Sequence, residues 1–80
     1  MNPKLRNDQI VVSFFVPCFN EEHNILKTIK TIIKGIGSIN HEILIVDDNS
    51  TDKTKEIIEK YMKAHPRDPI KLTQRTVNRG

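Results

Sequence analysis

The sequence predicts an α/β fold in which three parallel strands alternate with two helices. Residues 43–46 are four consecutive apolar residues, a run typical of a strand covered on both faces, and the run ends at two carboxylates. Apolar residues at helical spacing precede and follow this run, and two more strand-like stretches lie at residues 10–16 and 70–74. In the order strand, helix, strand, helix, strand, right-handed crossovers make all three strands parallel.

The first and third strands are predicted to have different surroundings. Residues 10–16 are β-branched and aromatic with one serine, the composition of a central strand, and Pro17 ends it because proline cannot donate to a ladder. Residues 70–74 alternate in polarity, which predicts a more exposed strand nearer a sheet edge. Residues 1–9 form a polar lead-in, so residues 10–80 are expected to be the folded portion.

The first helix is predicted to begin after the first strand. Asn20 is a good helix N-cap, and Glu21 and Glu22 would then occupy the first turn, where negative charge interacts favourably with the helix dipole. A stripe of isoleucines at helical spacing follows. Either Gly35 or Gly37 is expected to end the helix.

The second helix is predicted to follow the central run and its acidic turn. Asn49, Ser50 and Thr51 all have side chains that can accept a hydrogen bond from the first turn of a helix. The apolar stripe continues to about Ala64. Pro66 stops the helix because it cannot continue the hydrogen-bond ladder.

Composition argues against several classes of protein. The 13 basic and 10 acidic residues are scattered, and no basic cluster is interleaved with aromatic residues, so nucleic-acid binding is not expected. A single cysteine, Cys18, precludes an internal disulfide. The chain contains neither the apolar core of a signal peptide nor a run of the ~20 apolar residues that span a bilayer, so a cytoplasmic location is expected.

Polar residues follow each predicted strand at the carboxyl edge of the sheet. Three loops, at residues 17–22, 47–52 and 76–80, should converge at this edge, where open parallel sheets bind their ligands. Asp47 and Asp48 are therefore candidates for binding a polar ligand. An aromatic ring, carboxylates, helix starts and an arginine at one edge suit a nucleotide.

Each of these candidates also has a purely structural interpretation. Asp47 and Asp48 could form a turn that caps the next helix, Glu21 could be a simple first-turn residue, and Phe19 could belong to the core. A calcium loop starting at Asp48 is disfavoured, because Lys53 stands where the EF-hand pattern has glycine. Cysteine chemistry is also disfavoured, since no histidine is placed to activate a nucleophile.

Three segments together resemble a known family. The segments Val16-Pro-Cys-Phe-Asn-Glu-Glu22, Glu42-Ile-Leu-Ile-Val-Asp-Asp-Asn-Ser-Thr-Asp52 and Asn78-Arg-Gly80 are similar in order and spacing to the opening of inverting family 2 glycosyltransferases. The resemblance covers nearly the whole chain from Ile10 onward and is greatest to polyprenyl-phosphate hexose transferases of the dolichol-phosphate mannosyltransferase kind. It implies the N-terminal half of a three-layer, Rossmann-like GT-A domain, incomplete in this chain.

The resemblance also implies roles for individual residues. The donor would be a UDP- or GDP-hexose, and the acceptor a polyprenyl phosphate at the membrane surface, reached through sequence beyond this chain. In the expected nucleotide-sugar site, Pro17 and Phe19 line the base pocket and Glu21 helps to bind the nucleoside. Asp48 accepts a hydrogen bond from the base, with Asp47 beside it, and Arg79 approaches the base or the diphosphate.

The catalytic parts of that family are not expected in this chain. The resemblance implies a divalent metal, Mg²⁺ or Mn²⁺, held by an Asp-x-Asp motif that lies further along, followed by the catalytic base and the acceptor site. No Asp-x-Asp occurs in these 80 residues, and Phe19 replaces a more usual tyrosine. The chain alone is therefore expected to be inactive, with no catalytic residue and no metal site of its own.

Two other functions are compatible with parts of the sequence. A small non-catalytic α/β module could bind a nucleotide or a partner protein through the same edge. A response-regulator-like receiver domain shares the acidic strand end, but it needs a phosphorylatable aspartate after the third strand, and residues 70–76 contain none.

Overall fold

The computed structural model describes residues 10–75 and confirms the predicted order of elements. These are β1 (Val12–Cys18), α1 (Ile25–Ile36), β2 (His41–Asp47), α2 (Thr54–Ala64) and β3 (Ile70–Gln74). The strands form one parallel sheet in the order β1-β2-β3. The predicted lead-in, residues 1–9, lies outside the described residues.

Both helices pack on the same face of the sheet. Ile43 and Ile45 of β2 form one buried cluster with Ile25 and Ile29 of α1 and Ile58 of α2. Burial of each isoleucine stabilises the fold by about 1.5–3 kcal/mol. The expectation that β2 is covered on both faces is wrong for the described residues, which form two layers of the three-layer architecture. Side chains on the opposite sheet face remain partly or largely exposed.

Strand β1 differs from its prediction in extent and position. It runs to Cys18 and includes Pro17, whereas the sequence predicted an end at residue 16. The Cys18 carbonyl accepts a hydrogen bond from the Asp48 N–H at 2.9 Å, so Cys18 faces β2 and the nitrogen of the preceding Pro17 faces away from it. Proline therefore costs no ladder bond here. Within the described sheet β1 is an edge strand, not the central strand that its composition suggested.

Helix α1 begins four residues later than predicted, so Asn20 is not its N-cap. Asn24 occupies that position without a side-chain cap, and the Glu21 carbonyl accepts hydrogen bonds from the N–H groups of Asn24 and Ile25 at 2.9 and 2.8 Å. Asn20 instead has a positive φ of 53°. The helix ends at Gly37, whose φ of 63° favours glycine.

Helix α2 begins at Thr54, with Lys53 at its N-cap position and no side-chain cap from that residue. The Asp52 carboxylate accepts a hydrogen bond from the Thr54 N–H at 2.9 Å, whereas Asn49, Ser50 and Thr51 lie before the helix. Asp52, one residue before the N-cap position, bonds to the Thr54 N–H because α2 starts at Thr54, later than predicted. The predicted end at Ala64 and the predicted third strand at the sheet edge are both confirmed.

Candidate functional site

The strand register determines which side chains meet at the carboxyl edge. Cys18 and Asp47 form the last paired row of β1 and β2, and Asp47 also pairs with Gln74 of β3. The residues one position beyond this row are Phe19, Asp48 and Arg75. Since successive side chains alternate between the two faces of a strand, the two aspartates point to opposite faces. Asp47 shares the helix-covered face with Ile43 and Ile45, and Asp48 lies on the open side.

Asp47 is a structural carboxylate. Its side chain is fully buried, and it accepts hydrogen bonds from the Ser50 hydroxyl and, at 3.4 Å, from the Ser50 N–H. The Cys18 thiol donates to Oδ1 of Asp47 at 3.8 Å. Burial, and then the nearby charge of Asp47, raise the pKa of the Cys18 thiol to about 11. Asp47 therefore holds the turn, and Cys18 is a neutral core residue.

Two hydroxyl groups join the loop after β1 to the loop after β2. The Ser50 hydroxyl accepts from the Asn20 N–H at 2.9 Å and donates to Asp47. The buried Thr54 hydroxyl accepts from the Glu21 N–H at 2.7 Å and donates to Asp52. Each hydroxyl thus links a backbone N–H of the first loop to a carboxylate at the end of β2 or in the loop that follows it.

Side chains reinforce this connection in both directions. The Asn20 amide oxygen accepts from the N–H groups of Thr51 and Asp52 at 2.8 and 3.3 Å. Glu22 accepts from the Lys53 N–H at 3.0 Å, and Asp52 accepts from the Glu22 N–H at 3.2 Å. We call residues 19–24 and 48–53 together the paired loops. Because they bond to each other, the side chains that they carry are held in fixed relative positions.

Hydrogen bonds also set the charge of Asp52. Burial of this carboxylate raises its pKa, but donation from the Thr54 hydroxyl, the Thr54 N–H and the Glu22 N–H outweighs burial, and the pKa lies below the ordinary value of 3.8. Asp52 is therefore ionised at neutral pH and serves as an acceptor within the paired loops.

A shallow hollow opens beside the paired loops at the carboxyl edge. Its volume is about 210 Å³, and it is lined by Pro17, Cys18, Phe19, Glu21 and Asp48. The Phe19 ring is exposed over about half its surface, 52%, so it lies at the rim and not in the core. An aromatic face beside carboxylates can stack on a planar ring and accept hydrogen bonds from its N–H groups.

Four of the six predicted site residues share this hollow: Pro17, Phe19, Glu21 and Asp48. Asp47 does not line it, because the side chain points into the core. Arg79 lies outside the described residues. Arg75 was not predicted as a site residue, yet its Nε lies 3.3 Å from Oδ1 of Asp48. Its position immediately after the predicted third strand was the signal that could have identified it.

The described residues do not fit a divalent metal ion. Between residues 10 and 75, no three His, Cys, Asp or Glu side chains lie together as a ligand set. The Asp47 oxygens are occupied by Ser50 and Cys18, and Asp48 pairs with Arg75. Neither described helix is long and apolar enough to cross a membrane.

A parallel βαβαβ sheet with a hollow at its carboxyl edge places the chain in the class of open parallel α/β folds. The sequence model of glycosyl transferase family 2 matches residues 13–80, so the chain belongs to the family 2 glycosyltransferases. Its fold is that of the N-terminal part of a GT-A domain.

Relatives and solved structures agree with this assignment. The chain is 33% identical over 69 residues to a dolichol-phosphate mannosyltransferase of Pyrococcus furiosus, covering 86% of this chain and 19% of that protein. It is 30% identical over 80 residues to a dolichyl-phosphate beta-glucosyltransferase of Dictyostelium discoideum, covering 91% and 24%. A mannosyltransferase from Pyrobaculum calidifontis in complex with GDP-Man and Mn²⁺ has a TM-score of 0.74 and 28% identity, covering 86% and 20%. The chain thus spans about a fifth to a quarter of these proteins.

Proposed function

We propose that this chain supplies the nucleoside-binding part of an inverting hexosyltransferase that uses a UDP- or GDP-hexose as donor. The observation that carries the proposal is that Phe19 and Asp48, 29 positions apart in sequence, line one hollow at the carboxyl edge. The Pyrobaculum mannosyltransferase that shares this fold is in complex with GDP-Man, which supports the same class of donor. The names of the dolichyl-phosphate transferase relatives support a polyprenyl phosphate as acceptor.

The hollow provides a contact for each part of a nucleoside. Phe19 and Pro17 offer an apolar surface to the face of the base. The half-exposed Asp48 carboxylate accepts a hydrogen bond from a base N–H, and Glu21 accepts from the ribose hydroxyls. Asp47 acts indirectly by holding the turn on which Asp48 lies. Arg79 approaches the base or the diphosphate in this proposal.

The reaction of the whole enzyme would be a single displacement at the anomeric carbon. An acceptor oxygen forms the new bond from the opposite side while the bond to the nucleoside diphosphate breaks, and the diphosphate leaves with the electron pair. The acceptor must lose its proton to a carboxylate base or arrive already ionised. Since the chain contains no Asp-x-Asp, we expect no sugar transfer by the 80-residue chain alone.

Calorimetric titration of the chain with uridine, guanosine and their diphosphates tests the nucleoside site. Asp48→Asn should weaken nucleoside binding about tenfold, because one hydrogen bond to a charged group is lost. Phe19→Ala should weaken it about five- to tenfold through loss of stacking. Glu59→Gln and Phe15→Ala are matched controls, since both residues are exposed and lie outside the hollow.

The pattern across variants decides the outcome. We expect the controls to bind as the wild type does. Absence of binding by all four ligands, or equal weakening by the controls, would overturn the proposal.

A further inference from the structure

Among residues 10–75, Arg75 is the only residue whose side chain contacts the Asp48 carboxylate. The Arg75 Nε lies 3.3 Å from Oδ1, and the two side chains are 50% and 45% exposed. No other side chain between residues 10 and 75 bonds to either carboxylate oxygen of Asp48. An Asp side chain at a half-exposed loop position would otherwise rotate freely about its Cα–Cβ bond.

The arginine is itself held in place by the sheet. Its backbone N–H donates to the Asp47 carbonyl at 2.7 Å, which extends the β2–β3 ladder by one bond beyond Gln74. The Arg75 Cα is thereby fixed beside the backbone of the residue that precedes Asp48. The guanidinium is planar and its donors point in fixed directions, so it constrains the carboxylate more than a lysine would.

We infer that Arg75 is a positioning residue for nucleoside binding: it holds Oδ1 of Asp48 so that the second carboxylate oxygen is presented to the base. This inference rests on the proposed function. Arg75 acts through Asp48 and does not contact the ligand. An acceptor that is already oriented loses less conformational freedom when a base donates to it, which is worth about three- to tenfold in affinity.

A double-mutant cycle separates this role from direct binding of phosphate. We expect Arg75→Gln to weaken uridine and UDP binding by the same factor, about three- to tenfold, and to have no further effect in an Asp48→Asn background. Arg75→Lys should restore part of the affinity. Lys71→Gln is the matched control, because Lys71 is an exposed cation on β3 and its side chain points to the same face of the sheet as that of Arg75, just beyond the strand. It should bind as the wild type does.

Side-chain NMR provides a readout that needs no ligand. Three-bond couplings about the Asp48 Cα–Cβ bond should report one rotamer in the wild type and an average of rotamers in Arg75→Gln. Averaged couplings in the wild type would overturn the inference whether or not the chain binds nucleosides.

The remaining outcomes distinguish the inference from the proposal on which it rests. If Asp48→Asn weakens binding and Arg75→Gln does not, the positioning role is wrong and the nucleoside site stands. If the effect of Arg75→Gln is confined to UDP or persists in the Asp48→Asn background, Arg75 is a direct ligand and the inference is overturned. If the couplings show a fixed Asp48 but no ligand binds, the proposed function fails.

Discussion

Thr54→Val tests whether the paired loops depend on a buried hydroxyl. The Thr54 side chain is fully buried, accepts from the Glu21 N–H at 2.7 Å and donates to the Asp52 carboxylate. Valine has nearly the same shape but can neither accept nor donate. The substitution therefore leaves the Glu21 N–H without its acceptor and creates almost no cavity. It also removes one of two donors to Oδ1 of Asp52, which keeps its bond from the Thr54 N–H.

The expected magnitude follows from the Glu21 N–H that loses its acceptor. An unsatisfied donor of this kind costs about 1–3 kcal/mol, and we expect a loss of this size for Thr54→Val. A domain of this length has a free energy of unfolding of only about 4–12 kcal/mol, so the loss is a large share.

Urea unfolding followed by circular dichroism at neutral pH measures this loss. Thr31→Val controls for the effect of replacing threonine by valine in a helix, because Thr31 lies exposed on α1. Thr51→Val is a second control, since it removes only a 3.3 Å contact to Asn20 while the 2.8 Å N–H bond remains. A loss below about 0.5 kcal/mol for Thr54→Val, or one equal to that of the controls, would refute the importance of the hydroxyl.

The pH dependence of unfolding gives an independent measurement. The folded pKa of Asp52 is lowered below 3.8, so its contribution to stability is present above about pH 4 and is lost as pH falls through the folded pKa. Thr54→Val removes one of the donors that lower this pKa. The fall in stability below pH 4 should therefore be shallower in the variant, and an unchanged slope would contradict this assignment.

Two further predictions concern Cys18 and the glycines of α1. Because the pKa of the Cys18 thiol is raised to about 11 from 9.0, a thiolate-specific reagent at pH 8 should react far more slowly with the folded chain than with the urea-unfolded chain. The stability that the neutral thiol contributes is present below pH 9 and is lost as pH rises toward 11. Gly37→Ala should lower the free energy of unfolding by about 1 kcal/mol because φ is positive there. Gly35→Ala, inside the helix with no atom within 4 Å of the added Cβ, should raise it by about 0.5 kcal/mol. The reverse order of melting temperatures would contradict the glycine prediction.

Periodicity and helix breakers were sufficient to predict the order of the elements. The isoleucine stripe of α1 and the end of α2 before Pro66 depend on local spacing and local geometry, and the structure confirms both predictions. Helix starts were less predictable. Asn20 has the chemistry of an N-cap, but its amide oxygen bonds to the N–H groups of Thr51 and Asp52, about thirty residues away. No local rule could detect that competition.

The residues of the candidate site were likewise predictable from the sequence only in part. Phe19 and Asp48 were predicted to share a ligand edge, because the carboxyl ends of parallel strands meet there, and the structure brings them together. Asp47 could not be distinguished from Asp48, since all of residues 43–46 are apolar and show no alternation. Arg75 was missed because its partner comes from a neighbouring strand.

The sequence by itself determined the family, the order of strands and helices, and the edge at which polar side chains collect. These follow from short-range spacing and from the right-handedness of crossovers, which nearly all parallel sheets share. Only the tertiary structure decided that Asp47 is buried, that Asp48 lines the hollow and that Arg75 contacts Asp48. Such choices depend on strand register, because a shift of one residue exchanges the two faces of the sheet.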